Sequence, residues 1–420
     1  MKIVLINPPH PHFIDPTAQA PLGLLYLAAI LEVKHEVSIL NLAAVENVHK
    51  VSFPNADVYG LTTTSVDYKT CKEVANLIMM EHGNRKIIIG GPGITAMPEL
   101  DDWCFDSYVI GEAESIIGLV INDIENGKLK RRYYGGRTES LDSLPLPAWH
   151  LMDVMGGRAF LENYEGKSCN IMAGRGCPFN CAFCTTPYLW GRKVTVRSPE
   201  NVVAEVRFLK RAHGVNLFRF NDDTINLSRK WFKQFCSLME KEDVIWRSCF
   251  KIDLCTEDDL KMMKDSGCTE PGPGIESFDQ RVLDRLNKKT TVEKNVRFLE
   301  MAARVGLKVK LLMMIGTPGE TMETPEINKS YLDVVPHEYI SLTFFRPMPG
   351  SDIWYHPEKY GARILDRNFE DYDFCLQRKT NGIVTNVPAR SFIETELSKE
   401  ALEDNMTRMR EYTKDKCEAR

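Results

Sequence analysis

Cys177, Cys181 and Cys184 stand in the run Cys-Pro-Phe-Asn-Cys-Ala-Phe-Cys, with Gly174 and Gly176 just before them. Three thiolates at that spacing wrap around one compact metal centre. A structural zinc site wants four ligands, and no fourth Cys or His lies at zinc-like spacing nearby. A distant ligand such as His150 or Cys169 would be needed to keep zinc in contention. A [4Fe–4S] cluster held by three thiolates instead leaves one iron with open coordination, which turns a structural centre into a reactive one. The other nine cysteines (Cys71, Cys104, Cys169, Cys236, Cys249, Cys255, Cys268, Cys375 and Cys417) are scattered and read as small buried hydrophobes.

A second group of residues ends short hydrophobic runs in the first third of the chain: Asn7-Pro8-Pro9, Thr62-Thr63-Thr64-Ser65, Gly90-Gly91-Pro92-Gly93 and Gly111-Glu112. Glycines admit a ligand to the backbone, and hydroxyls offer donors and acceptors. Tight turns alone would also use such residues, but four such loops on one edge favour a ligand. Asn221-Asp222-Asp223 pairs carboxylates that would orient substrate or relay a proton, or else cap a helix or answer an Arg. Tyr188, Trp190 and Arg192 follow the cysteines and would shield them, line a channel, or simply pack. Met313 and Met314 read as core, and His10 and His12 as surface loop histidines that lie near the second group.

Those residues need a scaffold. Over residues 1–130, β-rich runs alternate with helical patterns: strands at Lys2–Asn7, Glu36–Asn41, Ala56–Thr62, Lys86–Ile89 and Ser107–Ile110, helices at Pro21–Glu32, Ser65–His82 and Glu114–Asn126. Near-continuous Val/Ile/Leu strands point to a doubly wound, Rossmann-like parallel sheet with its ligand beyond the strands' carboxyl ends. Pro145 and Pro147 mark a linker at 131–165. Over 166–356 a βα unit repeats about six times, which predicts a (β/α)6 partial barrel open on one side, with chemistry at its C-terminal mouth. Pro271 and Pro273 sit uneasily in its fourth strand. Residues 357–420 show helical patterning without a readable motif. The fold class is α/β.

The chain has 420 residues, 53 Lys+Arg against 58 Asp+Glu and 43% hydrophobic residues, an ordinary globular composition with room for two or three cores. A formal charge of −5 provides no bulk attraction to nucleic acid or anionic membrane, and neither is expected as a partner. The longest apolar stretch, residues 21–33, is broken by Glu32, so no membrane span and a cytoplasmic location are expected.

With those residues in place, the cysteine run resembles the radical S-adenosylmethionine (radical SAM) signature, with Phe183 at its aromatic position. The resemblance extends in order. Gly274-Ile275-Glu276-Ser277 looks like the segment that contacts the SAM amino group and ribose. Ile315-Gly316, opening IGTPGE, is similar to the one near the adenine, and Pro347-Met348-Pro349-Gly350-Ser351 to the stretch after the sixth strand. PLGLLYLAAILE, GLTTTS, IIIGGPGITA, VIGEAES and LDSLPLPAW resemble the subfamily that carries a cobalamin-binding domain. The resemblance implies Cys177, Cys181 and Cys184 on a [4Fe–4S] cluster, Glu276 and Ser277 on SAM, and Thr62–Ser65 and Gly90–Pro92 with Gly111 and Glu112 at the corrin. The N-terminal domain has no Asp-x-His-x-x-Gly, which implies cobalamin bound base-off without a histidine ligand, or bound with weak occupancy. Lys251 replaces a frequent Arg, and Phe278 a frequent Gly. The implied reaction is reductive cleavage of SAM to a 5′-deoxyadenosyl radical and methylation of an unactivated carbon. A non-methylating cyclisation of the anaerobic tetrapyrrole cyclase kind, and a non-catalytic cobalamin or redox sensor, stand as alternatives. Implied partners are a low-potential donor such as flavodoxin or ferredoxin and a small-molecule, lipid, tetrapyrrole or peptide substrate.

Overall fold

The apolar runs of the first third pair into one parallel sheet: β1 (Lys2–Asn7), β2 (Glu36–Asn41), β3 (Val58–Thr62), β4 (Lys86–Gly90), β5 (Ser107–Gly111) and β6 (Arg132–Gly135), in the order β2-β1-β3-β4-β5-β6. This computed structural model describes all residues except 11–14, 153–163, 373–375, 381–382 and 415–420. His12, Cys375 and Cys417 lie outside the described residues. Alternate residues explain the apolar runs. Ile3, Leu5, Val58, Ile88 and Val109 face Leu24, Ala28 and Val120, while Val4, Ile6, Tyr59 and Ile89 face Val74, Ala75 and Ile78. Helices therefore cover both faces, and the order reverses between β1 and β3, which opens a crevice at their carboxyl ends. β6 falls inside the stretch expected to be linker. Its charged RRYYGG sequence suits an edge strand, with Tyr133 buried and Tyr134 exposed.

Six further strands form an all-parallel arc: β7 (Lys167–Ile171), β8 (Val215–Phe220), β9 (Ile245–Arg247, resuming after Ser248 as Cys249–Phe250), β10 (Gly272–Glu276), β11 (Lys310–Ile315) and β12 (Tyr339–Phe344). Among the described residues β7 and β12 do not pair, so the arc is open there. Pro271 lies just before β10 and Pro273 within it, and the register of β10 against β11 shifts between Gly274 and Glu276. Helices Pro199–His213, Arg229–Met239, Glu257–Asp265, Val292–Val305 and Thr324–Leu332 follow successive strands.

The helix that completes the sixth unit comes from the C-terminal region. Lys399–Thr413 packs on β11, β12 and Thr324–Leu332. Between β12 and this helix the chain forms two short antiparallel pairs, Arg363–Ile364 with Ile393–Glu394 and Gln377–Thr380 with Ile383–Asn386, so the region is not helical throughout. Met406 sits against the α-carbon of Gly316, where a Cβ would collide with it. Asn405 Nδ2 donates to Glu320 Oε2 and Thr321 O, each at 3.0 Å.

Burial pushes the Glu320 carboxyl from 4.5 up to about 7. The folded chain thus holds a proton that the unfolded chain releases, and stability drains as pH rises through that window, by up to about 3 kcal/mol. Glu320→Gln should flatten this slope: the wild-type urea midpoint should fall relative to the variant between pH 5 and pH 8.

The two halves are stapled by the segment between them. Trp149 is 1% exposed inside the barrel core and donates through Nε1 to Glu205 Oε1 at 3.0 Å, while Glu205 also pairs with buried Arg197. Asn170 on β7 exchanges hydrogen bonds with the Ala20 backbone, 2.6 Å and 3.0 Å, at the head of helix Leu22–Leu31. Trp149→Ala should cost about 3–5 kcal/mol in urea unfolding, from lost burial and the cavity left behind.

Candidate active site

β7 delivers the chain to the cysteines through a pinned turn. Asp222 Oδ2 accepts the Ala173 N–H at 2.9 Å, and Gly174–Arg175 pairs antiparallel with Thr195–Val196. At Gly176, φ is +93° and a Cβ would lie 2.5 Å from Lys193 O, so glycine is required there. Ala182, buried between the cysteines, donates its N–H to Leu286 O at 2.8 Å and accepts from Ile353 N–H at 3.0 Å. Asn287 Nδ2 holds Asn180 O at 2.6 Å, and Cys184 N–H donates to Cys181 O at 3.1 Å. Thr186 donates to Asp223 Oδ1 at 2.6 Å, and Cys177 Sγ lies 3.6 Å from Thr224 Oγ1.

Burial pushes the Cys184 thiol up to about 11 and raises that of Cys181, which the nearby Lys288 and Lys251 partly offset. Burial thus disfavours ionisation of Cys181 and Cys184, and a metal centre would supply the charge that offsets it. Among the described residues no three His, Cys, Asp or Glu side chains converge on a single ion. An iron–sulfur cube spreads its thiolates over separate corners, so a loop of three spaced thiols suits it better than one zinc ion. The distant zinc ligands are also spoken for: His150 Nε2 is 3.0 Å from Glu32, and Cys169 is buried in β7 with its thiol on Asn170 O. The donor set fits a three-thiolate cluster.

Beside the loop, Lys288 Nζ lies 2.5 Å from Glu276 Oε1 and 5.6 Å from the Phe183 ring centroid. Burial pushes Lys288 down, yet the Glu276 carboxylate, the foremost of its neighbours, holds it above its ordinary value. Gly274 has no Cβ because Glu276 Oε1 occupies that space, with Lys288 Nζ 2.6 Å from the Cβ position. Glu276 adopts φ +62°, a costly conformation for a residue with a side chain, at the mouth of the barrel. Ile275 and Ile315 are fully buried, Gly316 is covered by Met406, and Ser277 Oγ bonds Asn328 Oδ1 and the Asp279 N–H. Of these segments, Glu276 is the side chain drawn to the cysteine loop. Lys251 Nζ reaches Asp253 at 2.9 Å and Lys288 O at 3.0 Å, 5.1 Å from the Phe179 ring centroid.

The crevice of the parallel sheet and the barrel mouth meet in a cavity of about 480 Å³. Thr62, Thr63, Thr64, Gly90, Gly91, Pro92, Gly111 and Glu112 line one side, and Met172, Gly174, Arg175, Trp190, Asn221 and Asp223 the other. Ser65 is buried and does not line it. A Cβ on Gly91 would meet Thr62 Oγ1 at 2.6 Å and Thr63 O at 2.9 Å, so the β3 and β4 loops close into a backbone floor. Such a floor fits the broad face of a corrin.

Arg175 locks the cavity's two sides together. Its Nη1 lies 2.7 Å from Glu112 Oε2 and its Nη2 2.5 Å from Glu114 Oε1, all three side chains buried, with Trp190 and Tyr26 beside the guanidinium. Burial pushes Asp222 up to about 7 and also raises Asp223. Asp222 pins the cysteine turn; Asp223 both faces the cavity and holds Thr186. Tyr188 is exposed and stacks on Tyr355 at 5.3 Å, while Met313 is core. Sequence reading passed over Arg175, Glu114 and Lys288. The Arg between Gly174 and Gly176 was the one local signal, because a cation beside a cofactor turn is rarely idle.

Among the described residues no helix is long and apolar enough to cross a membrane. Residues 17–121 match the family model of the B12 binding domain, and residues 171–329 that of the Radical SAM superfamily. The chain is 28% identical to an uncharacterized methyltransferase of Pyrococcus horikoshii, over 84% of this chain and 82% of that protein. It is 24% identical to the bacteriochlorophyllide d C-8(2)-methyltransferase of Chlorobaculum tepidum, over 86% and 81%. In fold it resembles the radical SAM methyltransferase TsrM of Kitasatospora setae, solved with cobalamin and a [4Fe–4S] cluster, with a TM-score of 0.67, 17% identity and 86% and 80% coverage.

Proposed function

Because this chain belongs to the cobalamin-dependent radical SAM superfamily, we propose that it methylates an unactivated carbon of its substrate. The observation that carries this reading is the shared cavity: the backbone floor at Gly90–Gly91 and the barrel residue Asp223, which holds Thr186 just past Cys184, open onto the same space. When bound, the cluster, SAM and cobalamin supply one-electron cleavage of SAM and delivery of a methyl group.

The chain's own part is to hold and to exclude. Cys177, Cys181 and Cys184 would grip the cluster, with Phe183 packed beside them. Glu276 would take the SAM ammonium, with Gly274, Ile275, Ser277, Ile315 and Gly316 shaping its bed. The loops at Thr62–Ser65, Gly90–Pro92 and Gly111–Glu112 would seat the corrin. Asp222 and Asp223 would set the cysteine turn, and Asp223 is placed to accept a proton in the cavity. Arg175, Trp190 and the closed interface keep water from that space. The domain limits that follow are 1–130 for cobalamin with β6 as an edge addition, 131–165 for the staple, 166–356 for the barrel and 357–420 for the segment ending in its last helix. A low-potential flavodoxin or ferredoxin in the cytoplasm is the suitable donor, and a small molecule, lipid, tetrapyrrole or peptide the suitable substrate.

The test is anaerobic reaction with methyl-labelled SAM and candidate metabolites, read by product mass. Label in the product supports methylation. A new product without label rejects it in favour of cyclisation or rearrangement, and no 5′-deoxyadenosine from any candidate raises the sensor reading.

A further inference from the structure

Arg137 belongs to the corrin-side sheet but directs its whole guanidinium at the barrel. It stands two residues past β6, whose Gly135 pairs with Gly111 of β5. Its Nε and Nη2 donate to Thr195 Oγ1 at 2.8 Å and 2.6 Å, its Nη1 donates to the Trp190 carbonyl, and its Nη2 also reaches the Arg175 carbonyl at 3.3 Å. All of these acceptors are uncharged, although Glu139 stands two residues away and pairs instead with Lys193.

The place of the acceptors separates this contact from the staples at Trp149 and Asn170. Arg175 is the last residue before the Gly176–Cys177 turn, while Trp190 and Thr195 follow Cys184. One guanidinium thus bridges the incoming and outgoing ends of the cysteine loop, where Gly174–Arg175 pairs with Thr195–Val196. The next residue turns to the other cofactor site. Thr138 N–H donates to Glu112 Oε2 at 3.0 Å, the oxygen that Arg175 Nη1 also approaches at 2.7 Å, and Glu112 lines the corrin cavity. Two adjacent residues therefore hold the base of the cysteine loop and the carboxylate of the corrin loop. A planar fork serves such a set of acceptors at once, which an ammonium on a flexible stem does less well.

Fixing a loop costs about 1–2 kcal/mol of backbone entropy per residue. A cluster that fixes the cysteine loop leaves three acceptors in place for Arg137, and a fixed Arg137 seats Thr138 and Glu112 at the corrin. The ordering cost met by one cofactor is not met again by the other, so the two bind cooperatively. We propose that Arg137 is a positioning residue that couples the two cofactor sites, so that cluster and cobalamin each tighten the other's binding. The inference rests on the cofactor reading above and goes beyond it, because two sites sharing a cavity need not be coupled.

The deciding measurement is the dissociation constant of hydroxocobalamin for the full-length protein, taken anaerobically with the cluster in place and after its removal by chelation. The cluster should tighten binding about 5–150-fold, the usual span for two coupled sites. In Arg137→Met the two forms should bind alike, while iron content stays at the wild-type level. Thr195→Val removes the hydroxyl acceptor and leaves Arg137 itself intact; it should shrink the ratio, and it decides the matter where Arg137→Met fails to fold. Glu139→Ala breaks only the exposed pair with Lys193 and should keep the ratio. A ratio undiminished in Arg137→Met and Thr195→Val overturns the assignment, as does equal binding by the two wild-type forms. Either of those leaves the methyltransferase reading standing, whereas a wild type that takes up no cobalamin in either form overturns both.

Discussion

Cys181→Ala should purify without its brown colour, its iron falling from roughly four per chain to near none, and should form no 5′-deoxyadenosine. On the proposed reading three thiolates hold the cluster, and among the described residues the distant candidates are engaged elsewhere: His150 is paired with Glu32 and Cys169 lies inside β7. Two thiolates cannot hold the cube with one corner open, so the loss should be complete rather than graded. Cys169→Ala is the internal control. It removes a buried thiol outside the loop and should keep iron, colour and SAM cleavage, with a modest drop in stability. Iron retained in Cys181→Ala would contradict the ligand assignment, and zinc in the wild type would overturn the site.

Arg175→Met should destabilise the protein by about 3–5 kcal/mol, because it leaves the buried carboxylates of Glu112 and Glu114 facing each other without a counter-charge. Arg175→Lys should recover only part of the loss, since one ammonium cannot fork to two carboxylates as a guanidinium does. The variant should also release cobalamin more readily, because Glu112 and Arg175 both line the cavity. Equal stability of Arg175→Met and wild type at pH 8 would mean that the clamp contributes nothing.

The glycines and threonines at the ends of β3 and β4 were legible because each loop announces itself in consecutive residues. Glu320 and Met406 show the limit. Both look ordinary in sequence, and their contacts with Asn405 and Gly316 join segments some 85–90 residues apart. β6 escaped for a related reason: an edge strand has one bonded neighbour and one half-wet face, so RRYYGG lacks the apolar continuity that betrays β1 or β4.

By itself the sequence determined the cysteine turn, the alternation of strand and helix in both halves and the sense in which each strand ends in a loop, all properties of spacing over a few residues. Only the tertiary structure decided that Arg175 meets Glu112 and Glu114, that Lys288 meets Glu276, and that Lys399–Thr413 closes the barrel's last unit. Pairings of that kind bring together distant parts of the chain, and a charge carries no local mark of the partner it will find. Burial chooses the partner, since a group taken out of water must be answered by whatever the fold has placed beside it.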